Sequence, residues 1–117
     1  MDQYQGYKNY QTWVYKLYND LPEEYVYGCL DEVFDPKINL IEVKYKAIFT
    51  MEEELKESLL EQIEFFTENT HGLFYDLLTS AINLIDFKEI AEDSINNYFK
   101  YWLEERTGIK YDDQNCL

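Results

Sequence analysis

From Gly72 to Leu103 the chain reads GLFYDLLTSAINLI and then DFKEIAEDSINNYFKYWL, two apolar patterns of helical period with no linker between them. Leu73, Leu77, Ala81 and Leu84 recur at spacings of three and four. Phe87, Ala91, Ser94 with Ile95, Tyr98 and Trp102 do the same, so each run is expected to bury one stripe of a helix. Asp86 stands between the runs with Glu89 three residues on, the spacing of an acidic capping box. One helix is therefore expected to end near Ile85 and the next to start at once. So short a connection makes the two neighbours in a C-terminal helical hairpin.

Everything else in the chain must supply what covers those two stripes, and 117 residues suffice for one modest core. The expectation is a single domain, 1–117. With 46% hydrophobic residues, twelve Tyr, seven Phe and two Trp, the composition excludes a disordered chain. No apolar run approaches the roughly 18 residues of a membrane span, and the opening MDQYQGYKNY lacks the layout of a signal peptide. The expected location is cytoplasmic. Cys29 and Cys116, far apart, then suggest neither a disulfide framework nor a metal site.

Charge limits the partners. Twenty-four acidic residues against ten Lys and Arg leave a net charge of -14. Self-repulsion at that level costs stability and makes binding to a nucleic-acid backbone unfavourable. Solubility alone asks for a net charge of only about 2–8 in a small domain. The excess points to a basic partner or a high-salt habitat.

Along the chain, NYQTWVYKLYND places Tyr10, Trp13, Val14, Leu17 and Tyr18 on one side of a first helix, capped by Asn9 or Thr12 and stopped before Pro22. Trp13 is its expected core anchor. Residues 23–49 admit two readings. EEYVYGCLDEVF can open a short helix at Pro22, or Tyr25 to Leu30 can pair as a hairpin with the segment beyond the Asp35-Pro36 turn. In that segment Ile41, Val43, Tyr45, Ala47 and Phe49 alternate in the manner of a half-buried strand. The fold class expected is therefore mainly α, with α+β open: four to five helices and one short strand or hairpin within 24–49.

Thr50-Met-Glu-Glu53 has the form of a capping box and is expected to open a helix over about 51–68, with Leu55, Leu59, Ile63 and Phe66 inside. Glu54, Glu57, Glu61, Glu64 and Glu68 fall on its opposite side, with Glu52 and Glu53 beside them. Seven carboxylates over about 25 Å is one per roughly 3.6 Å, against about 3.4 Å per charge along a DNA strand. A solvated face is what most charge runs are; a phosphate-like ridge is the sharper reading. Glu89, Glu92 and Asp93 continue the acidic character on the last helix, which Gly108 should stop.

Asn9-Tyr10-Gln11-Thr12-Trp13, followed far downstream by GLFYDLLTSAIN and DFKEIAE, resembles a family of small phage and plasmid proteins. Those proteins open with N-Y-x-T-W and carry a G-L-(F/Y)-x-D-L-L block ending in W-x-E-I-A. The two blocks cover about a third of the chain; Phe87 stands where that family more often has Trp, and 37–49 has no counterpart in it. The resemblance implies a mobile-element origin, and with it the cytoplasm of a host cell. By analogy of class, small acidic proteins of such elements are inhibitors of host defence nucleases, of the anti-CRISPR and antirestriction kinds.

Catalytic patterns are absent from the sequence: there is no phosphate-binding glycine loop, H-E-x-x-H, C-x-x-C or nucleophile elbow, and one histidine, His71. No enzyme, cofactor or metal site is expected. The functional expectation is an acidic nucleic-acid mimic. It would bind the basic groove of a host nuclease, a CRISPR effector such as Cas9 or a restriction enzyme, through Glu52, Glu53, Glu54, Glu57, Glu61, Glu64, Glu68, Glu89, Glu92 and Asp93. The alternative is a structural or regulatory phage protein whose acidity only keeps it soluble.

Overall fold

The computed structural model describes residues 6–66 and 72–108. The elements are α1 (Tyr10–Tyr18), α2 (Glu23–Val33), α3 (Leu40–Phe66), α4 (Leu73–Asn83) and α5 (Phe87–Thr107). The protein is mainly α, and no strand occurs among the described residues. Residues 69–71 of the expected turn, and the tail from 109, lie outside them.

The strand or hairpin expected within 24–49 is not formed. Its first part is α2, with Pro22 at the N-cap and Glu23 and Glu24 in the first turn, where they favour the positive end of the helix dipole. Its second part belongs to α3, which starts eleven residues before the expected opening. Asn39 is the reason: its Oδ1 accepts a hydrogen bond from the Glu42 N–H (2.9 Å) and caps the helix there. Val43, Ala47, Ile48, Met51 and Leu55 are all buried, a stripe of helical spacing. Tyr45 and Phe49, which alternation would place inside, are 65% and 63% exposed. A strand pattern of five positions had coincided with one edge of a helical stripe. Thr50 accordingly sits inside α3 and caps nothing.

The chain packs as two compact units, one comprising Met1–Asp20 and Glu52–Ile90, the other Leu21–Met51 and Ala91–Leu117. The second has the fuller core: Val26, Leu30, Val43, Ala47, Met51, Ala91, Ile95, Trp102 and Leu103 have no exposed surface. Cys29 is buried there too. Trp102 sits at its centre, edge-on to Phe34 at 5.4 Å, with its indole N–H donating to Asp31 Oδ1 (2.8 Å). Arg106 grips the same carboxylate through Nε (2.9 Å) and Nη2 (3.0 Å). That two-pronged grip holds the Asp31 carboxyl below the usual carboxylate range, with the Trp102 hydrogen bond adding to it. Burial pushes the Tyr27 hydroxyl above its ordinary range, and nearby Glu23 and Glu105 reinforce the shift.

The first unit buries less. Thr12, Tyr15, Leu55, Ile82, Phe87 and Ile90 form its inside, with Tyr15 edge-on to Phe87 at 5.2 Å. Trp13 is only half-buried, and Tyr10, Leu17 and Tyr18 are exposed, so the face α1 buries is Thr12 and Tyr15 rather than the aromatic stripe. The large buried tryptophan of this protein is Trp102.

On α4 the expected stripe also faces out: Leu73, Leu77 and Leu84 are 71%, 56% and 53% exposed, and Ala81 is exposed as well. The residue α4 buries is Ile82, with Tyr75 and Thr79 half-buried. Hydrogen bonds from α1 set this roll. Asn9 Nδ2 donates to the Leu84 carbonyl (2.7 Å), and the Asp86 N–H donates to Thr12 Oγ1 (2.8 Å). With the C-terminal end of α4 held so that Ile82 points inward, Leu73 lies about half a turn away on a helix advancing 100° per residue.

Candidate functional site

The N-Y-x-T-W block and the Leu84–Glu89 corner meet in a network of hydrogen bonds. Asn9 Oδ1 accepts from the Thr12 N–H (2.9 Å) and from the Thr12 hydroxyl (2.7 Å), capping α1. Asp86 Oδ1 accepts from the Glu89 N–H (3.0 Å), which caps α5 as expected. The reciprocal half of the box is missing, because Thr12 takes the Asp86 N–H and Glu89 Oε1 accepts from the Lys8 N–H (3.0 Å) instead. Lys8 Nζ lies 3.6 Å from Asp86 Oδ2. The motif residues Asn9, Thr12, Asp86 and Glu89 are thus spent within this corner, on one another, on Lys8 and on the Leu84 carbonyl. Glu89, expected to face a partner, is half-buried and fixes the chain before α1.

The remaining carboxylates divide. Glu53, Glu54, Glu57, Glu61 and Glu64 are exposed on α3. By helical geometry they fall within an arc of about 100°, and Glu54 to Glu64 covers about 15 Å of the axis. Among the described residues, Glu53, Glu57, Glu61 and Glu64 enter none of the protein's ion pairs. Glu52 is off the ridge: it lies on the Leu55 side of α3, half-buried, and lines a 280 Å³ hollow with Lys8, Lys56 and residues 82–87. Glu68 lies outside the described residues. Glu92 and Asp93 belong to the other unit; Glu92 is half-buried beside Lys44, Tyr45 and Asn96, while Asp93 is exposed.

The largest of these hollows, 490 Å³, lies in the second unit between Phe34, Pro36, Ile38, Leu40 and Leu103, and no ionisable side chain lines it. Among the described residues no group of three His, Cys, Asp or Glu could hold a metal. None of their helices is long and apolar enough to cross a membrane. What the arrangement offers is contact: a row of carboxylates on α3 and, in the same unit, an exposed apolar face on α4. The sequence signalled the row but not the face, whose leucines read as core. Comparison with known proteins adds nothing to the geometry, since no family model, curated protein or solved structure matches this chain.

Proposed function

We propose that this protein is a mobile-element inhibitor of a host defence nuclease, of the anti-CRISPR or antirestriction class, and that it works as an acidic nucleic-acid mimic. The observation that supports this reading is the α3 ridge, whose Glu53, Glu54, Glu57, Glu61 and Glu64 stand exposed on one arc of a helix in a chain of net charge -14. Ordered carboxylates at this spacing compete with phosphates for the Lys and Arg of a basic groove, and the long-range field speeds encounter.

No single carboxylate dominates, because an exposed ion pair contributes only about 0–1 kcal/mol. Single Glu→Gln changes on the ridge should therefore be nearly silent. Changing Glu54, Glu57, Glu61 and Glu64 together to Gln should weaken binding to the target nuclease by about tenfold or more, equivalent to about 1.4 kcal/mol. Folding should not suffer, since like charges at these spacings repel. Binding isotherms at two salt concentrations and a melting curve on that variant make the test. Unchanged affinity with the ridge neutralised would leave α3 a solvated face.

A further inference from the structure

Along one side of α4 stand Leu73, Phe74, Leu77, Leu78 and Ala81, with Leu84 at the C-cap, within an arc of about 140°. The five larger of them are 40% to 71% exposed. No charged residue falls in that arc, although 29% of the chain is charged. Such a continuous apolar strip marks an interaction site. Opposite charges flank its two ends. Asp76 is exposed on one edge of α4, and Asn83, two turns on, is exposed on the same edge. Asn83 and Leu84 line the 280 Å³ hollow together with Lys56, which is itself exposed. Among the described residues neither Asp76 nor Lys56 enters an ion pair. The other charges around that hollow, Lys8, Glu52 and Asp86, include the pair of Lys8 with Asp86.

We infer that this face pairs with the same face of a second copy of the chain, the two α4 helices lying antiparallel about a twofold axis at mid-helix. What meets the arc must be apolar and uncharged, and a second copy brings such a surface by symmetry. Area supports the pairing. The five larger side chains offer roughly 350 Å² of exposed apolar surface per copy, taking roughly 100 Å² for a whole leucine and roughly 200 Å² for a whole phenylalanine. At the roughly 65% apolar content of homodimer interfaces, two such faces correspond to about 1,000 Å², where specific association begins. Charge fixes the direction. In an antiparallel pair the Asp76 of each copy comes to the other's Leu84 end, on the edge whose Asn83 shares a hollow with Lys56. A parallel pair would set Asp76 beside Asp76. Such contacts at the rim set orientation more than affinity. The charge of -14 on each copy opposes the approach, but salt screens it beyond about 8 Å under physiological conditions. The α3 carboxylates play no part here, so phosphate mimicry could fail without touching this pairing.

Sedimentation equilibrium of the full-length protein makes the test. A reversible monomer–dimer equilibrium is expected, with a dissociation constant of roughly 1–100 μM for so small an interface. Raising the salt from about 0.05 to about 0.5 M should tighten it, because screening relieves the repulsion between two anions. The triple variant L73S/L77S/L84S should weaken the dimer at least about tenfold and, in dilute solution, melt no lower than the parent. Asp76→Lys should weaken it about threefold even though it lowers the net negative charge, and adding Lys56→Asp should restore the parent's constant. These two exposed positions test the pairing without touching the leucines. A monomer at every concentration, or a dimer that the triple variant leaves intact, overturns the assignment. So does a triple variant that melts well below the parent where both are monomeric, since the face then packs against its own chain. An Asp76→Lys dimer tighter than the parent's, or one that Lys56→Asp fails to restore, overturns the antiparallel arrangement.

Discussion

Thr12 does more for this structure than its size suggests. It has no exposed surface, and its hydroxyl donates to Asn9 and accepts from the Asp86 N–H. Thr12→Val keeps the shape and removes both bonds, leaving the Asp86 N–H without its acceptor while Asn9 Oδ1 keeps only the backbone N–H of residue 12. The expected cost is about 1–3 kcal/mol in a denaturant titration, with Thr12→Ser recovering much of it. Asp31 is the other residue whose removal has a definite signature. Its folded pKa is lowered, chiefly by Arg106. The stabilisation is therefore present above the unfolded carboxylate value, about 3.9, and disappears as pH falls through that value to the lower folded one. Asp31→Asn should lower the melting temperature at pH 7, and the gap between variant and parent should close in strong acid. A gap that persists there would show that shape rather than charge is lost.

At the scale of the helix, α3 separates two residues with rival claims to cap it. Asn39 bonds the Glu42 N–H, whereas Thr50 lies inside the helix. Asn39→Ala should cost about 0.5–2 kcal/mol. Thr50→Ala should cost little or stabilise slightly, alanine being the better helix former. Thermal melts of the pair followed by circular dichroism decide it; the reverse order would mean that the helix starts at Thr50. Sequence patterning was legible where one side of a helix is strongly apolar, as on α5, where Phe87, Ala91, Ser94, Ile95 and Trp102 are all buried. It misled where both sides carry large apolar residues. On α1 and α4 the roll goes with the hydrogen bonds Asn9–Leu84 and Thr12–Asp86, between residues 75 and 74 apart in sequence that no local period reports. The ridge was legible because exposed charge needs no tertiary information. That Glu89 on α5 is taken by the Lys8 N–H instead of facing a partner did need such information.

For the molecule as a whole, buried side chains and exposed apolar and acidic surface are divided unequally between the two units. The unit holding Trp102 and Asp31 has most of the buried side chains, while the unit holding α4 and residues 52–66 of α3 presents carboxylates and leucines outward. Contact surface of that kind lowers the free energy of local opening, so core and surface should lose structure at different rates. Cys29 makes the core's rate directly measurable. Its thiol lies inside the better-packed unit, 3% exposed, and is expected to react only when that core opens. In a Cys116→Ser background, alkylation of Cys29 therefore becomes an internal clock: each modified molecule records one opening of the core. Labelling in native buffer should be at least about a hundredfold slower than in denaturant, as for a group exposed only by a substantial opening. Mass spectrometry of timed samples reads that ratio, and prompt native labelling would contradict the burial of α2.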